Sequence, residues 1–117
     1  MTKQQGFLLK IGVPADILGF GYLDKAIDLY RKLEQAGVKP QITGEIYPSI
    51  AEAFGTEKSR VERAIRHAIE RAMVNSGLAD AMWKMLGNSI SPKTGKPTNG
   101  EFIAACALLT EEQMEAI

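Results

Sequence analysis

The chain has 117 residues, 45% of them apolar, and fourteen Lys/Arg balance fourteen Asp/Glu to give a formal net charge of zero. That is the size of one domain, with enough apolar mass for a core that needs neither disulfide nor metal. The zero balance excludes a nucleic-acid binder that works through a global positive field. No apolar run approaches the ~18 residues of a membrane span, and MTKQQGFLLK lacks a signal-peptide core, so a cytoplasmic protein with no membrane partner is expected.

Aromatic residues are only 7% of the chain. Ala, Ile, Leu and Met do most of the filling, which favours helices over strands. Residues 2–10 run from polar to apolar and read as a frayed end or a short first helix. In GVPADILGFG, Pro14 suits a first helical turn, so residues 15–18 are expected to form one short turn closed by Gly19. The Gly19-Phe20-Gly21 run lacks the third glycine, the preceding strand and the Lys-Ser/Thr pair of a nucleotide loop. It reads as a flexible elbow.

Residues 22–35 predict a helix with Leu23, Ala26, Ile27, Tyr30 and Leu33 on its apolar stripe. Asp28 precedes Arg31 and Lys32 by one turn, a spacing that supports ion pairs, and Asp24 lies one turn before Asp28. Gly37 is placed to stop the helix. Pro40 makes residues 38–44 a connector. IYPSIAEAF then predicts a helix over 47–54 with Pro48 in its first turn and Ile50, Ala51 and Phe54 inward.

After Gly55 comes the most informative stretch, TEKSRVERAIRHAIERAMVN. Val61, Ala64, Ile65, Ala68, Ile69, Ala72 and Met73 recur at three and four residues and predict one buried face of a helix over 57–75. Thr56 is the expected cap, with Glu57 favoured in the first turn by the helix dipole. Five of the fourteen basic residues (Lys58, Arg60, Arg63, Arg66, Arg71) fall here, so the positive charge is local.

A helix held by its apolar back, showing arginines in front and preceded by a tight turn, is the pattern of a helix-turn-helix. Such a unit has alanine at its fifth position, glycine at its ninth and a β-branched residue at its fifteenth. Ala51, Gly55 and Val61 fit those places. The small side chain lets the helices approach, the glycine supplies a left-handed turn, and the valine fills the angle.

Of the exposed positions, Arg63 suits guanine O6/N7 and Glu62 suits cytosine N4. Arg66, one turn on, suits a base or a phosphate. Lys58 and Ser59 are expected on the DNA backbone.

Downstream, LADAMWKML predicts a helix over 78–86 between Gly77 and Gly87, with Trp83 beside Leu78, Met82, Met85 and Leu86. Residues 88–97 read as a loop. Thr98 with Glu101, and Thr110 with Gln113, have capping-box spacing. They predict a helix carrying Phe102, Ile103, Cys106 and Leu109, then a short helix or solvated tail. The sole cysteine, Cys106, lies on an apolar face and reads as a buried structural thiol. One His and one Cys without metal-ligand spacing give no metal site, and nothing calls for a cofactor. His67 has arginine neighbours rather than a nucleophile or carboxylate, so no catalytic function is expected. The whole reads as an all-α, compact helical domain of about six helices containing a helix-turn-helix.

Long strings in this order carry a resemblance. SRVERAIRHAIE, IGVPADILGFGYL, IYPSIAEAF and KPTNGEFIA resemble the C-terminal DNA-binding effector domain of the sporulation master response regulators, the stage-zero sporulation protein A family. The likeness spans roughly residues 11–107, inside a single-domain core of about 11–109. It implies an all-helical domain that binds double-stranded promoter boxes as head-to-tail dimers and regulates transcription.

It also implies that Glu62 and Arg63 read bases, that Arg66 contacts base or backbone, and that His67 lies against phosphate. Lys96, Pro97, Thr98 and Asn99 resemble the family's second DNA-facing loop, where Lys96 supplies charge and the helix N-terminus at Thr98 suits a phosphate. In the family, the segment after the recognition helix meets the RNA polymerase sigma subunit. Here that segment is VNSGLADAMWKM, which departs from the family pattern, as do residues 34–44 and the acidic end TEEQMEAI. Nothing resembles the phosphoacceptor receiver domain of the full-length regulators. Zero net charge and that missing domain also fit a second reading, a helical protein-interaction module that keeps the fold without binding DNA.

Overall fold

The structure is a computed structural model and describes residues 1–75 and 96–117. The expected helix over 78–86, with Trp83, and most of the loop 88–97 lie outside the described residues. The described elements are all helical: α1 (Lys3–Lys10), α2 (Leu18–Gln35), a π-helical turn (Ile42–Ile46), α3 (Tyr47–Phe54), α4 (Lys58–Asn75), α5 (Asn99–Leu108) and α6 (Glu111–Ala116). No helix among them is long and apolar enough to cross a membrane.

The core forms where α2 crosses α4 and α5, with α3 packed on α4 and α1 on α6. Leu23, Ala26 and Ile27 of α2 meet Val61, Ile65, Ala68, Ile69 and Ala72 of α4 and Phe102, Ile103 and Cys106 of α5 in one cluster. These are the residues that the three-and-four spacing selects. Burial of the Cys106 thiol pushes its pKa far up, so it stays protonated and packs as a small apolar group.

Three expectations fail here. First, α2 starts at Leu18 and not at residue 22, so Gly19 and Gly21 lie inside its first turns rather than in an elbow. No helical turn forms over 15–18; Ile17 is extended and accepts the Phe20 N–H. The reason lies across the core. A Cβ on Gly19 would stand 2.2 Å from the Ala64 carbonyl oxygen and 2.7 Å from the Ala68 Cβ. The glycine is where the two helix backbones touch. Second, Phe54 is 51% exposed, resting edge-on against Tyr22 with ring centroids 5.0 Å apart, and does not turn inward.

Third, Thr56 does not cap α4. Gly55, at φ 64°, closes α3 with the Thr56 N–H bonded to the Ala51 carbonyl (2.9 Å) and its own N–H to Glu52 (3.4 Å). This paired arrangement is a Schellman motif. The Thr56 N–H is used there, and α4 begins at Lys58 rather than at residue 57, with the Glu57 carbonyl at the cap position accepting from the N–H groups of Arg60 and Val61.

The N-terminal segment is a formed helix. Thr2 and Gln5 make a reciprocal capping box, and Gln4 is buried. The Gln4 amide donates to two carboxylates of α2, Asp24 (2.8 Å) and Asp28 (3.1 Å), and its oxygen accepts from Arg31 (2.9 Å). Arg31 reaches Asp28 at 3.4 Å. The anticipated local pairs are thus partly replaced by a tie between α1 and α2. Thr98/Glu101 and Thr110/Gln113 form the expected capping boxes of α5 and α6.

Candidate nucleic-acid interface

α4 places its charged residues by simple rotation at 3.6 residues per turn. With Val61, Ile65, Ala68 and Ala72 fully buried, Arg63 lies opposite the buried stripe, at the crest of the helix. On the flank facing α5 lie Ser59, Glu62, Arg66 and Glu70. On the flank facing the N-terminal end of α2 lie Arg60, His67 and Arg71. Lys58 and Ser59 are exposed in the first turn.

The two flanks differ in electrostatics. Toward α5 the charges are paired. Arg66 Nη1 donates to Glu62 Oε1 at 2.9 Å, and Lys96 Nζ donates to Glu70 Oε1 at 2.8 Å. The Lys96 hydrogen bond, with help from Arg66 and His67, holds the Glu70 carboxyl below its ordinary value. Along the crest and the other flank, Arg60, Arg63, His67 and Arg71 are exposed and form no salt bridge with an acid among the described residues. Among the described residues, the neutral chain therefore carries a basic strip without salt bridges along α4.

Between α4, the π-helical turn and the start of α5 lies an open cleft of about 490 Å³. Ile42 and Ile69 line it with Glu62, Arg66, Glu70 and Lys96. The start of α5 is built by its capping box: Thr98 Oγ1 accepts from the Glu101 N–H at 3.1 Å, and Glu101 Oε1 accepts from the Thr98 N–H at 2.8 Å. The N–H groups of Asn99 and Gly100 have no partner among the described residues. Lys96 and this helix end sit beside Glu62, Arg66 and Glu70, so the two segments singled out in the sequence share one face.

Asn99 behaves differently from expectation. Its amide nitrogen donates inward, to the Tyr47 hydroxyl at 3.0 Å and to the Glu62 backbone carbonyl at 3.1 Å. Both amide hydrogens are thereby used inside the protein rather than offered to a phosphate. Burial raises the Tyr47 pKa, with the Asn99 hydrogen bond acting the other way, so the hydroxyl remains protonated.

Four residues of this face were given no site role in the sequence reading, although Arg60 and Arg71 were counted there as local positive charge. Arg60 and Arg71 share the strip of Arg63 and His67, and the 60-63-67-71 spacing is visible in the sequence. Glu70 and Tyr47 carry no comparable signal, because each is defined by a partner on a distant segment.

A short helix, a glycine-closed turn and a longer helix bearing a basic crest are consistent with the helix-turn-helix build of an all-α domain. The family is shown directly. The model for the sporulation initiation factor Spo0A C-terminal domain matches residues 5–109, and the chain belongs to that family. The match takes in most of α1 as well as the strings that carry the resemblance. It is a family of DNA-binding domains that regulate transcription in sporulation, not of enzymes.

Proposed function

We propose that this chain binds duplex DNA sequence-specifically, with α4 in the major groove, and regulates transcription from the boxes it occupies. Arg63 and Glu62 read base edges, a guanine and a cytosine respectively. Arg66 reaches a base or the adjacent backbone. Lys58, Ser59 and His67 contact phosphates from α4. Lys96 and Thr98 do so from the second loop, where the open N–H groups at the start of α5 suit an anion. A second copy binds head-to-tail on the neighbouring box, and the segment after α4 is the place for a sigma-subunit contact.

The observation that carries this reading is the strip of Arg60, Arg63, His67 and Arg71, exposed and, among the described residues, without a salt bridge to an acid, on a helix whose back is buried. Unpaired arginines on a rigid helix release counterions on meeting phosphate, and a neutral chain binds only where such charge is concentrated.

Selection from random duplex DNA at defined salt tests it. The expected result is a short enriched motif containing a C/G step. Recovery of no motif, together with binding that does not depend on salt, would leave the domain an interaction module that has kept the fold.

A further inference from the structure

The Asn99 side chain ties three elements at one point. Asn99 is the first residue of α5, Tyr47 the first of α3, and Glu62 a mid-helix residue of α4. A mid-helix carbonyl already accepts from the N–H four residues on, so the Asn99 bond is an additional one. The π-helical turn contributes to this. Its wide loop, with the Ile46 N–H reaching back to the Gln41 carbonyl at 3.0 Å, leads directly into α3 and sets Tyr47 facing α5. Tyr47 is 5% exposed, so its hydroxyl is held by packing of the ring.

Two residues before Asn99 the chain is buried at Pro97, and one residue further back it carries Lys96. Lys96 is tied to Glu70, two turns along α4 from the Glu62 carbonyl. The start of α5 is thus pinned to α4 at two separated points, one polar and half-buried, the other an ion pair. Two pins fix a direction as well as a distance.

We infer that Asn99, clamped between the Tyr47 hydroxyl and the Glu62 carbonyl, is a positioning residue whose side chain sets the loop 96–98 in register with the reading face of α4 and does not itself touch DNA. This rests on the DNA-binding reading above. With the clamp in place, the phosphate contacts of Lys96 and of α4 are made together at no ordering cost. Without it, the loop adopts several placements, and the Lys96 contact loses most of its value.

The test is a double-mutant cycle on the 117-residue chain, read by fluorescence anisotropy over a salt series with a selected duplex and a scrambled one. Asn99→Ala and Tyr47→Phe are each combined with Lys96→Ala and, separately, with Arg63→Ala. The expected coupling of either clamp variant to Lys96→Ala is about threefold or more, with independent effects against Arg63→Ala. Each clamp variant also lowers the salt slope by about one, the share of Lys96. A residue with a merely structural role would lower the active fraction without changing that slope.

Should Asn99→Ala fail to fold, Tyr47→Phe, which removes one oxygen and keeps the ring, carries the same cycle. Full affinity in Tyr47→Phe beside a loss in Asn99→Ala would make Asn99 a direct contact and overturn the inference. So would multiplicative effects of the clamp and Lys96 variants. If the wild-type chain shows no salt-dependent binding to either duplex, the DNA-binding reading falls and the clamp with it. Wild-type binding with multiplicative effects removes the clamp alone.

Discussion

The two sides of α4 obey different rules. Its back is set by contact: Val61, Ile65, Ala68 and Ala72 are fully buried, and the Ala64 backbone meets Gly19 of α2 with no room for a methyl group. Its front is set by charge: Arg63 stands at the crest without a salt bridge to an acid among the described residues, while Arg66 and Lys96 on one flank are paired to Glu62 and Glu70. Substitutions on the back are felt as lost packing, which is steep and short-ranged. Substitutions on the front leave the fold standing and alter what the surface attracts. One helix therefore separates stability from recognition, and each side is open to a test that leaves the other alone.

The steepest break is expected at Gly19. Gly19→Ala places a Cβ against the Ala64 carbonyl, a backbone atom that cannot rotate away, and is expected to destabilise the domain by about 3 kcal/mol. Gly21 is two residues further along the same helix, and a Cβ there would meet only the Phe54 ring edge at 4.0 Å. Gly21→Ala should be neutral or should stabilise by up to about 1 kcal/mol through helix propensity. Urea-unfolding midpoints of the two variants decide the matter. Similar midpoints would show that the crossing is not tight at Gly19.

This pair of glycines also shows where sequence reasoning stops. The buried stripe of α4 was legible because its period is local, and the boxes at Thr98/Glu101 and Thr110/Gln113 because each closes within one turn. Read locally, Gly19 is a helix breaker. Its purpose is set by Ala64 and Ala68, which are remote in sequence. Thr56 obeyed a sound capping rule, but the Schellman closure of α3 claimed it first. Glu70 and Tyr47 were passed over for the same reason as Gly19: their partners, Lys96 and Asn99, arrive by tertiary packing. Arg60 and Arg71 were legible in principle, since the period that selects the buried face also selects the exposed one.

On the front of α4, Arg63→Ala is expected to reduce affinity for a selected box by about 1–3 kcal/mol and to relax preference at one base pair. Its unfolding midpoint should stay within about 0.5 kcal/mol of the wild type, as for other exposed substitutions. Equal losses on the selected and the scrambled duplex would remove the base-reading role and leave Arg63 a phosphate contact. Glu62→Ala probes the paired flank. It frees Arg66 from its 2.9 Å partner, so non-specific affinity should rise while discrimination at the cytosine falls. A fall in both would mean that Glu62 acts by holding Arg66 in place.

The smallest effect expected is at Glu70, and its sign is fixed. Lys96 holds the Glu70 carboxyl below the ordinary value of 4.5 in the folded state. A group whose folded pKa is depressed favours folding only while it is ionised. Its contribution is complete above the unfolded value, near 4.5, and is lost as pH falls through the lower folded value. Glu70→Gln should therefore reduce stability at neutral pH and converge with the wild type below that range, so the acid limb of the variant is shallower. Both partners are more than a third exposed, so solvent screens the pair, the gap at pH 7 should be under about 1 kcal/mol and it should shrink further with added salt. Unfolding midpoints between pH 3 and pH 7 read it directly. A constant gap across the whole range would mean that the pair contributes by packing the Lys96 stem against α4 rather than by charge.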